Sequence, residues 1–204
     1  MAKQRRLSRK EKRRVERDQD HLMGILNTKF SMRKIRPITA TQSDLFESYN
    51  EGYNLAAIGT AGTGKTMCAT YLALNDVLQK GEYEKVVIIR SAVQTREQGF
   101  MPGTQAQKEA VFEAPYNDIV NDLFERKDAY NLMKAKGMIE FKTSSFVRGL
   151  TFDNAIIIVD ECQSMTYHEL DSIITRVGES SKIVFCGDTK QDDLATSKNR
   201  ADVT

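Results

Sequence analysis

A glycine-rich stretch of the sequence has the residue types and the spacing to bind phosphate: Gly59-Thr60-Ala61-Gly62-Thr63-Gly64-Lys65-Thr66. It matches the pattern G-x-x-x-x-G-K-[ST] at every defined position. Glycines let successive backbone N–H groups converge on a phosphate that larger side chains would obstruct. We expect Lys65 to reach the β- and γ-phosphates of a bound ligand, and the Thr66 hydroxyl to bind Mg²⁺. The predicted loop extends to Met67; the alternative is a glycine-rich turn with an incidental lysine.

A second motif, AIIIVDECQ, places two adjacent acids directly after an apolar run that reads as a buried strand. Asp160 can hold a metal ion through water, and Glu161 can orient and deprotonate an attacking water molecule. Two acids at a strand tip are unfavourable unless a cation or a ligand shares the site. A pair of helix-capping acids is the alternative. A base beside the metal-binding acid favours hydrolysis by water over transfer to another substrate.

A third motif, CGDTKQDDL, follows the last clear strand of the sequence. Asp188 and Gln191 emerge at a strand end, which is the edge where ligands bind in an open parallel sheet. The amide of Gln191 can hydrogen-bond a γ-phosphate or the attacking water without adding charge. Gln191 is therefore a candidate sensor that distinguishes ATP from ADP, although any turn could carry G-D-x-x-Q.

The elements that must position these motifs alternate between strands and helices. Short, continuously apolar runs predict strands covered on both faces, and helices between them predict a parallel sheet. The predicted strands are residues 54–58, 85–90, 139–143, 155–160 and 182–188. The predicted helices are 65–79, 106–126 and 166–177, and residues 94–105 read as a loop. The predicted fold class is three-layer α/β.

The charge of the chain is divided unevenly between a basic arm and an acidic body. Residues 1–36 contain 13 Lys and Arg residues against 4 Asp and Glu residues, and the remaining chain contains 17 against 24. Such a basic run can bind a nucleic-acid backbone by releasing counterions. A solvated tail that only aids solubility is an equal alternative. No aromatic residue precedes Phe30 in the arm, so we do not expect the arm to stack on bases.

Composition excludes several classes of protein. No apolar stretch approaches the length of a membrane span, and no apolar segment follows the basic start as in a secretory signal. We therefore expect a cytoplasmic protein without membrane contact. The three cysteines are scattered and lie in apolar surroundings, which favours reduced core thiols over disulfides or a metal site.

Together the segments GTAGTGKT, IIRSAV, GFMPGT, VRGLTFDNAIIIVDECQ, TRVGESSKIV and GDTKQDDL resemble the PhoH-like ATPases, particularly the short forms encoded by bacteriophages. The resemblance covers roughly residues 38–195. It implies a RecA-like P-loop domain related to superfamily 1 helicase cores. It also implies Mg²⁺-dependent ATP hydrolysis and a role with RNA or single-stranded nucleic acid. A family glutamine that reads the adenine edge matches Gln42, which would otherwise be taken as a surface residue.

The resemblance also bears on arginines and on assembly. Arg176 matches a family arginine that could act as an arginine finger in a neighbouring subunit, although a cation favoured at a helix C-terminus is an equal alternative. Arg148 could contact nucleic acid or phosphate, or it could pack beside the acidic strand. Arg90 ends a strand at the ligand edge and could touch either substrate. From the resemblance we expect a homo-oligomer such as a hexameric ring. Family members usually continue with another strand and helix, which leaves open whether the domain is shortened after Leu194.

The sequence thus predicts a basic arm over residues 1–36 and a RecA-like ATPase domain over residues 37–204. Three functions compete. The leading one is an ATPase that acts with nucleic acid, with Lys65, Glu161, Gln191 and Arg176 as its catalytic residues. The second is a regulatory protein that binds ATP and hydrolyses it poorly. The third, a small-molecule kinase, lacks an arginine-rich insertion that would form a lid.

Overall fold

The computed structural model describes Gly24 and residues 29–91 and 105–188, with only the backbone for residues 105–108. By its internal contacts the chain divides into Met1–Ser31 and Met32–Thr204. Most of the predicted basic arm lies outside the described residues, as does the predicted loop at 94–105 apart from its last residue. The fold described below is that of the second unit.

Five strands form one sheet in which every neighbouring pair is parallel. The strands are β1 (Leu55–Ile58), β2 (Lys85–Arg90), β3 (Ile139–Thr143), β4 (Ala155–Asp160) and β5 (Lys182–Gly187). Their order across the sheet is β1-β5-β4-β2-β3, so a single strand separates β1 from β4. The register sets Arg90 beside Asp160, and Ile58 beside Gly187. All five predicted strands are confirmed, and their carboxyl ends meet at one edge.

The helices agree with the sequence in part. They are α1 (Ala40–Asn50), α2 (Lys65–Asn75), α3 (Gln105–Leu123), α4 (Ala129–Ala135) and α5 (Tyr167–Ile174). The pattern of apolar residues did not predict α1 or α4. Only Tyr49 is buried in the polar helix α1, and α4 is only 7 residues long. Within residues 29–91 and 105–188, no helix combines the length and the apolar character that a bilayer crossing requires.

The helix predicted over residues 65–79 changes its type before it ends. The α-helical part stops at Asn75, and a π-helical turn follows over Asp76–Lys80. Asp76 is buried in this turn and pairs with the ammonium of Lys80, four residues later. The predicted end at Gly81 is confirmed, since Gly81 caps the turn in the left-handed conformation with φ 66°.

Helices cover the sheet on both faces, as the continuous apolar strands predict. All six residues of β4 are buried. Ile157 and its same-face neighbours pack in one core with Ile173 of α5. Because side chains alternate along a strand, Ile158 and Asp160 point to the opposite face, where α2 packs against β4 and β5. The fold is therefore the predicted three-layer α/β architecture.

The burial of β4 leads to a prediction about stability. Ile157 is completely buried, whereas Ile174 at the end of α5 is 53% exposed. Ile157→Ala should lower the free energy of unfolding by about 2–5 kcal/mol, because it removes buried methyl groups and leaves a cavity. Ile174→Ala is the matched control and should cost on the order of 0.5 kcal/mol. Urea unfolding of both variants measures the difference, and equal losses would contradict this description of the core.

Candidate nucleotide-binding site

The glycine-rich loop joins the carboxyl end of β1 to the first residue of α2, as the phosphate-binding pattern requires. Gly62 and Gly64 have φ angles of +75° and +80°, a conformation that residues with a Cβ rarely adopt. Gly64 is also the N-cap of α2, which begins at Lys65. The helix N-terminus, with its unpaired N–H groups and positive dipole end, therefore opens directly onto the loop.

The side chain of Lys65 folds back over this loop. Its Nζ donates hydrogen bonds to the carbonyl oxygens of Gly59, at 2.9 Å, and Thr60, at 2.7 Å. Both partners are neutral, and an anionic phosphate oxygen is a stronger acceptor for an ammonium than a carbonyl is. The lysine thus lies where it can exchange these carbonyls for the oxygens of a bound phosphate.

Asp160 and Thr66 meet at the centre of the site, although they lie 94 residues apart in the sequence. The Thr66 hydroxyl donates to Oδ1 of Asp160 at 2.8 Å. Asp160 is the last residue of β4, and its side chain points to the face covered by α2. The predicted pairing of the phosphate-binding loop with the acidic strand end is therefore present.

The other carboxylate oxygen of Asp160 accepts a hydrogen bond that no sequence motif predicts. Tyr116 of α3 donates its hydroxyl to Oδ2 of Asp160 at 2.8 Å, and this tyrosine is only 1% exposed. Burial, and then the charge of Asp160, raise the pKa of the Tyr116 phenol well above its ordinary value. The hydroxyl therefore keeps its proton and acts as a donor that fixes the orientation of the carboxylate.

Glu161 follows Asp160 in an unusual backbone conformation, with φ 52° and ψ 42°. Only a few per cent of residues other than glycine lie in this left-handed region. One of its carboxylate oxygens accepts a hydrogen bond of 2.6 Å from the side-chain amide of Gln163. Gln163 is the last residue of the acidic motif AIIIVDECQ, but the motif itself predicts no role for it.

These groups surround a cavity of about 260 Å³. It is lined by residues of the loop, of the first turn of α2, of α3, and of the ends of β4 and β5: Ala61, Gly62, Gly64, Lys65, Thr66, Met67, Ile119, Asp160, Glu161, Cys186, Gly187 and Asp188. The side-chain oxygen atoms of Thr66 and Asp160 are hard ligands of the kind that Mg²⁺ prefers. No cluster of three or more acidic, His or Cys ligands occurs in the described part of the chain. The residues fit Mg²⁺, which usually binds through one or two protein oxygens together with substrate phosphates and water.

Gln42 lies against the phosphate-binding loop from the side of α1. Its Nε2 donates to the Thr63 carbonyl at 3.0 Å, and its Oε1 accepts from the backbone N–H of Ile38 at 2.8 Å. The structure therefore places Gln42 next to the loop. Its predicted contact with adenine stays a prediction.

The three predicted arginines are not among the residues that line this cavity. Arg176 follows α5, and its carbonyl accepts from the N–H of Phe152, which precedes β4 at the opposite edge of the sheet. Arg148 is exposed beyond β3, while Arg90 lies beside Asp160 in the sheet with its guanidinium over the ring of Phe112. Gln191 lies outside the described residues. The catalytic roles of Arg176 and Gln191 stay predictions.

Comparison with known proteins agrees with this geometry. The family model described as PhoH-like protein matches residues 34–203. This chain belongs to the PhoH-like protein family. The PhoH-like protein of Mycobacterium leprae is 34% identical over 163 residues, which cover 79% of this chain and 46% of the relative. The PhoH-like protein of Bacillus subtilis is 33% identical over 163 residues, which cover 79% of this chain and 50% of that relative.

Further similarities are more partial. The protein PhoH of Escherichia coli is 34% identical over 140 residues, or 68% of this PhoH-like chain and 39% of the relative. The chain thus spans half or less of the length of these curated relatives. Among solved structures, the Sulfolobus solfataricus SWI2/SNF2 ATPase core in complex with dsDNA is similar at 13% identity and a TM-score of 0.49. That similarity covers 81% of this chain and 36% of the solved chain.

The Tyr116 contact predicts an effect on metal-dependent binding. Tyr116→Phe removes a hydrogen bond to a charged group, so we expect nucleotide affinity in the presence of Mg²⁺ to fall about tenfold. Without Mg²⁺ the affinity should change much less. Titration calorimetry with a non-hydrolysable ATP analogue, with and without Mg²⁺, measures both affinities.

Tyr130→Phe is the matched control for this experiment. Tyr130 is equally buried and also donates its hydroxyl to a carboxylate, that of Glu113 at 2.6 Å. Neither Tyr130 nor Glu113 lines the cavity. Equal losses of affinity in Tyr116→Phe and Tyr130→Phe would show that the effect comes from general destabilisation instead of from Asp160.

Proposed function

We propose that this PhoH-like chain is a Mg²⁺-dependent ATPase that acts with RNA or single-stranded nucleic acid. The observation that carries the proposal is the contact between the Thr66 hydroxyl and the Asp160 carboxylate, beside a cavity that Lys65 and Glu161 also line. A phosphate-binding loop, a pair of metal-binding oxygens and a candidate base thus share one edge of the sheet. This combination suits the attack of water on a terminal phosphate.

Each of these residues has a separate role in the proposed reaction. The loop amides and Lys65 bind and orient the phosphates, and Thr66 and Asp160 would hold Mg²⁺. When bound, Mg²⁺ neutralises the charge on the phosphate oxygens. The carboxylate of Glu161 takes a proton from the attacking water. Gln191 and Gln42 would contact the γ-phosphate and the adenine.

The proposed homo-oligomer is supported by the position of Arg176. β4 has 6 residues. At the usual rise of a strand, its two ends are about 17 Å apart. Arg176 contacts the chain just before the amino end of β4, whereas Asp160 lies at the carboxyl end. If Arg176 acts as an arginine finger, this distance means that it would act on the cavity of another subunit.

The proposed nucleic-acid partner is supported by the basic residues of the arm.

We also propose a cytoplasmic location, because the three cysteines are free thiols, which are typical of reducing compartments. Burial raises the pKa of the Cys186 thiol above its ordinary value, which makes this cavity-lining group unreactive.

Two substitutions test the ATPase. Lys65→Ala removes the only cation that lines the described cavity and should abolish ATP binding or turnover. Glu161→Gln keeps the size of the side chain but removes the base, so ATP should bind and hardly be hydrolysed. Binding by calorimetry and phosphate release with Mg²⁺ measure both effects.

Lys127→Ala and Glu51→Gln are the matched controls, because both residues are exposed and neither lines the cavity. They should hydrolyse ATP as the unchanged protein does. Normal turnover in Glu161→Gln would show that Glu161 is not the base. Tight binding with negligible turnover in the unchanged protein, even with RNA present, would favour a regulatory protein over an ATPase.

The arm generates a separate prediction about salt. Removal of residues 1–28 spares Arg33, whose N–H donates to the Leu123 carbonyl and whose guanidinium pairs with Asp122. The shortened protein should bind single-stranded RNA more weakly and with a flatter dependence on salt, because fewer counterions are released. Fluorescence anisotropy over a salt series measures, for each protein, the slope of RNA affinity against salt concentration. Equal slopes for the two proteins would mean that the arm does not bind nucleic acid.

A further inference from the structure

We propose that Gln163 is a positioning residue that holds the carboxylate of Glu161 and ties it to the end of β5. The proposal deepens the proposed ATP hydrolysis and rests on it, because Glu161 matters as the base of that reaction. It assigns a task to a side chain that does not line the cavity but contacts two residues that do.

The two ends of the Gln163 amide are used in opposite ways. Its Nε2 donates to Oε2 of Glu161 at 2.6 Å, and its Oε1 accepts from the backbone N–H of Asp188 at 2.9 Å. A rotation of the amide by half a turn would place oxygen against carboxylate and NH₂ against N–H. Both contacts would be lost, so the two partners together determine the orientation of the amide.

The local backbone brings Gln163 to this position. Glu161 lies in the left-handed conformation and starts the 3-10 turn Cys162–Ser164, which is closed by a hydrogen bond from the Ser164 N–H to the Glu161 carbonyl at 2.9 Å. This tight turn directs the chain back, so the side chain at 163 reaches the carboxylate two residues before it. The unusual φ angle of Glu161 therefore contributes directly to the contact.

Gly187, the last residue of β5, gives independent support. A Cβ at this position would lie 2.7 Å from Sγ of Cys162 and 3.3 Å from Oε1 of Gln163. The first distance is shorter than real Cβ contacts allow. The turn that carries Gln163 thus packs so closely against β5 that a Cβ at position 187 would require the side chain of Cys162 to shift.

This geometry links the two sides of the cavity. Glu161 lies at the end of β4 and Asp188 directly after β5, and both line the cavity. Gln163 joins them through one rigid amide group, so a movement of the chain at Asp188 displaces the carboxylate of Glu161. Because the base acts in the chemical step, loss of Gln163 should lower kcat and leave nucleotide affinity almost unchanged.

Three variants test this role. Gln163→Leu keeps a similar volume and loses both hydrogen bonds, and Gln163→Glu keeps an acceptor for Asp188 but sets a second carboxylate against Glu161. Both should lower kcat about tenfold or more, with an ATP affinity within about twofold of the unchanged protein. Gln79→Leu, at an exposed glutamine remote from the cavity, is the control and should leave both quantities unchanged.

A double substitution tests whether Gln163 acts through Glu161. In single-turnover measurements, Gln163→Leu should slow hydrolysis in the unchanged protein but cause little further loss in a Glu161→Gln background. An equal loss in both backgrounds would overturn the positioning role, as would a normal kcat in Gln163→Leu. A parallel loss of ATP affinity and kcat would mean that the residue only supports the fold.

The Asp188 amide provides a readout that does not depend on activity. In NMR spectra, its proton should lose protection from exchange in Gln163→Leu and retain it in Gln163→Glu. If the unchanged protein hydrolyses no ATP, the proposed function fails by itself. In that case, exchange of the Asp188 amide alone tests whether Gln163 holds the end of β5. An unchanged exchange rate in Gln163→Leu would overturn the proposal.

Discussion

The contact between the Thr66 hydroxyl and the Asp160 carboxylate is the point on which the site depends. It joins the first turn of α2 to the end of β4 across a sheet in which β5 lies between β1 and β4. The contact requires that the side chain of Asp160 point to the face of α2. Alternation along β4 provides this direction, because Ile156 and Ile158 share that face and are fully buried.

Much of the fold could be predicted because its strands are short, continuously apolar and bounded by turn residues. The same reasoning could not find α1 or α4. Leu45, Phe46 and Tyr49 are the only large apolar residues of α1, and its N-terminus is capped by Thr39 in a polar segment that resembles a loop. The capping pair Thr166 and Glu169 at the start of α5 is a clearer signal, and the helix predicted there begins within a residue of its observed start.

The residues of the site could be predicted as far as local motifs carry them. The phosphate-binding loop and the acidic pair are contiguous patterns, and the structure brings them together. Tyr116 lies 44 residues before Asp160, and no spacing rule connects a tyrosine in a helix to a carboxylate at a strand end. Gln163 stands within a recognised motif, but its role depends on a left-handed backbone at Glu161 that sequence patterns do not predict.

The place of β1 has a consequence for dynamics. Within the described residues, β1 is the outermost strand next to β5, and alternate residues along it are exposed. The strand that carries the phosphate-binding loop therefore has a ladder partner on one side only, whereas β4 has partners on both. Margins of sheets open locally at lower free energy than their centres. A ligand that binds the loop would reduce the motion of this edge strand, and the reduction would be larger there than in the central strands of the sheet.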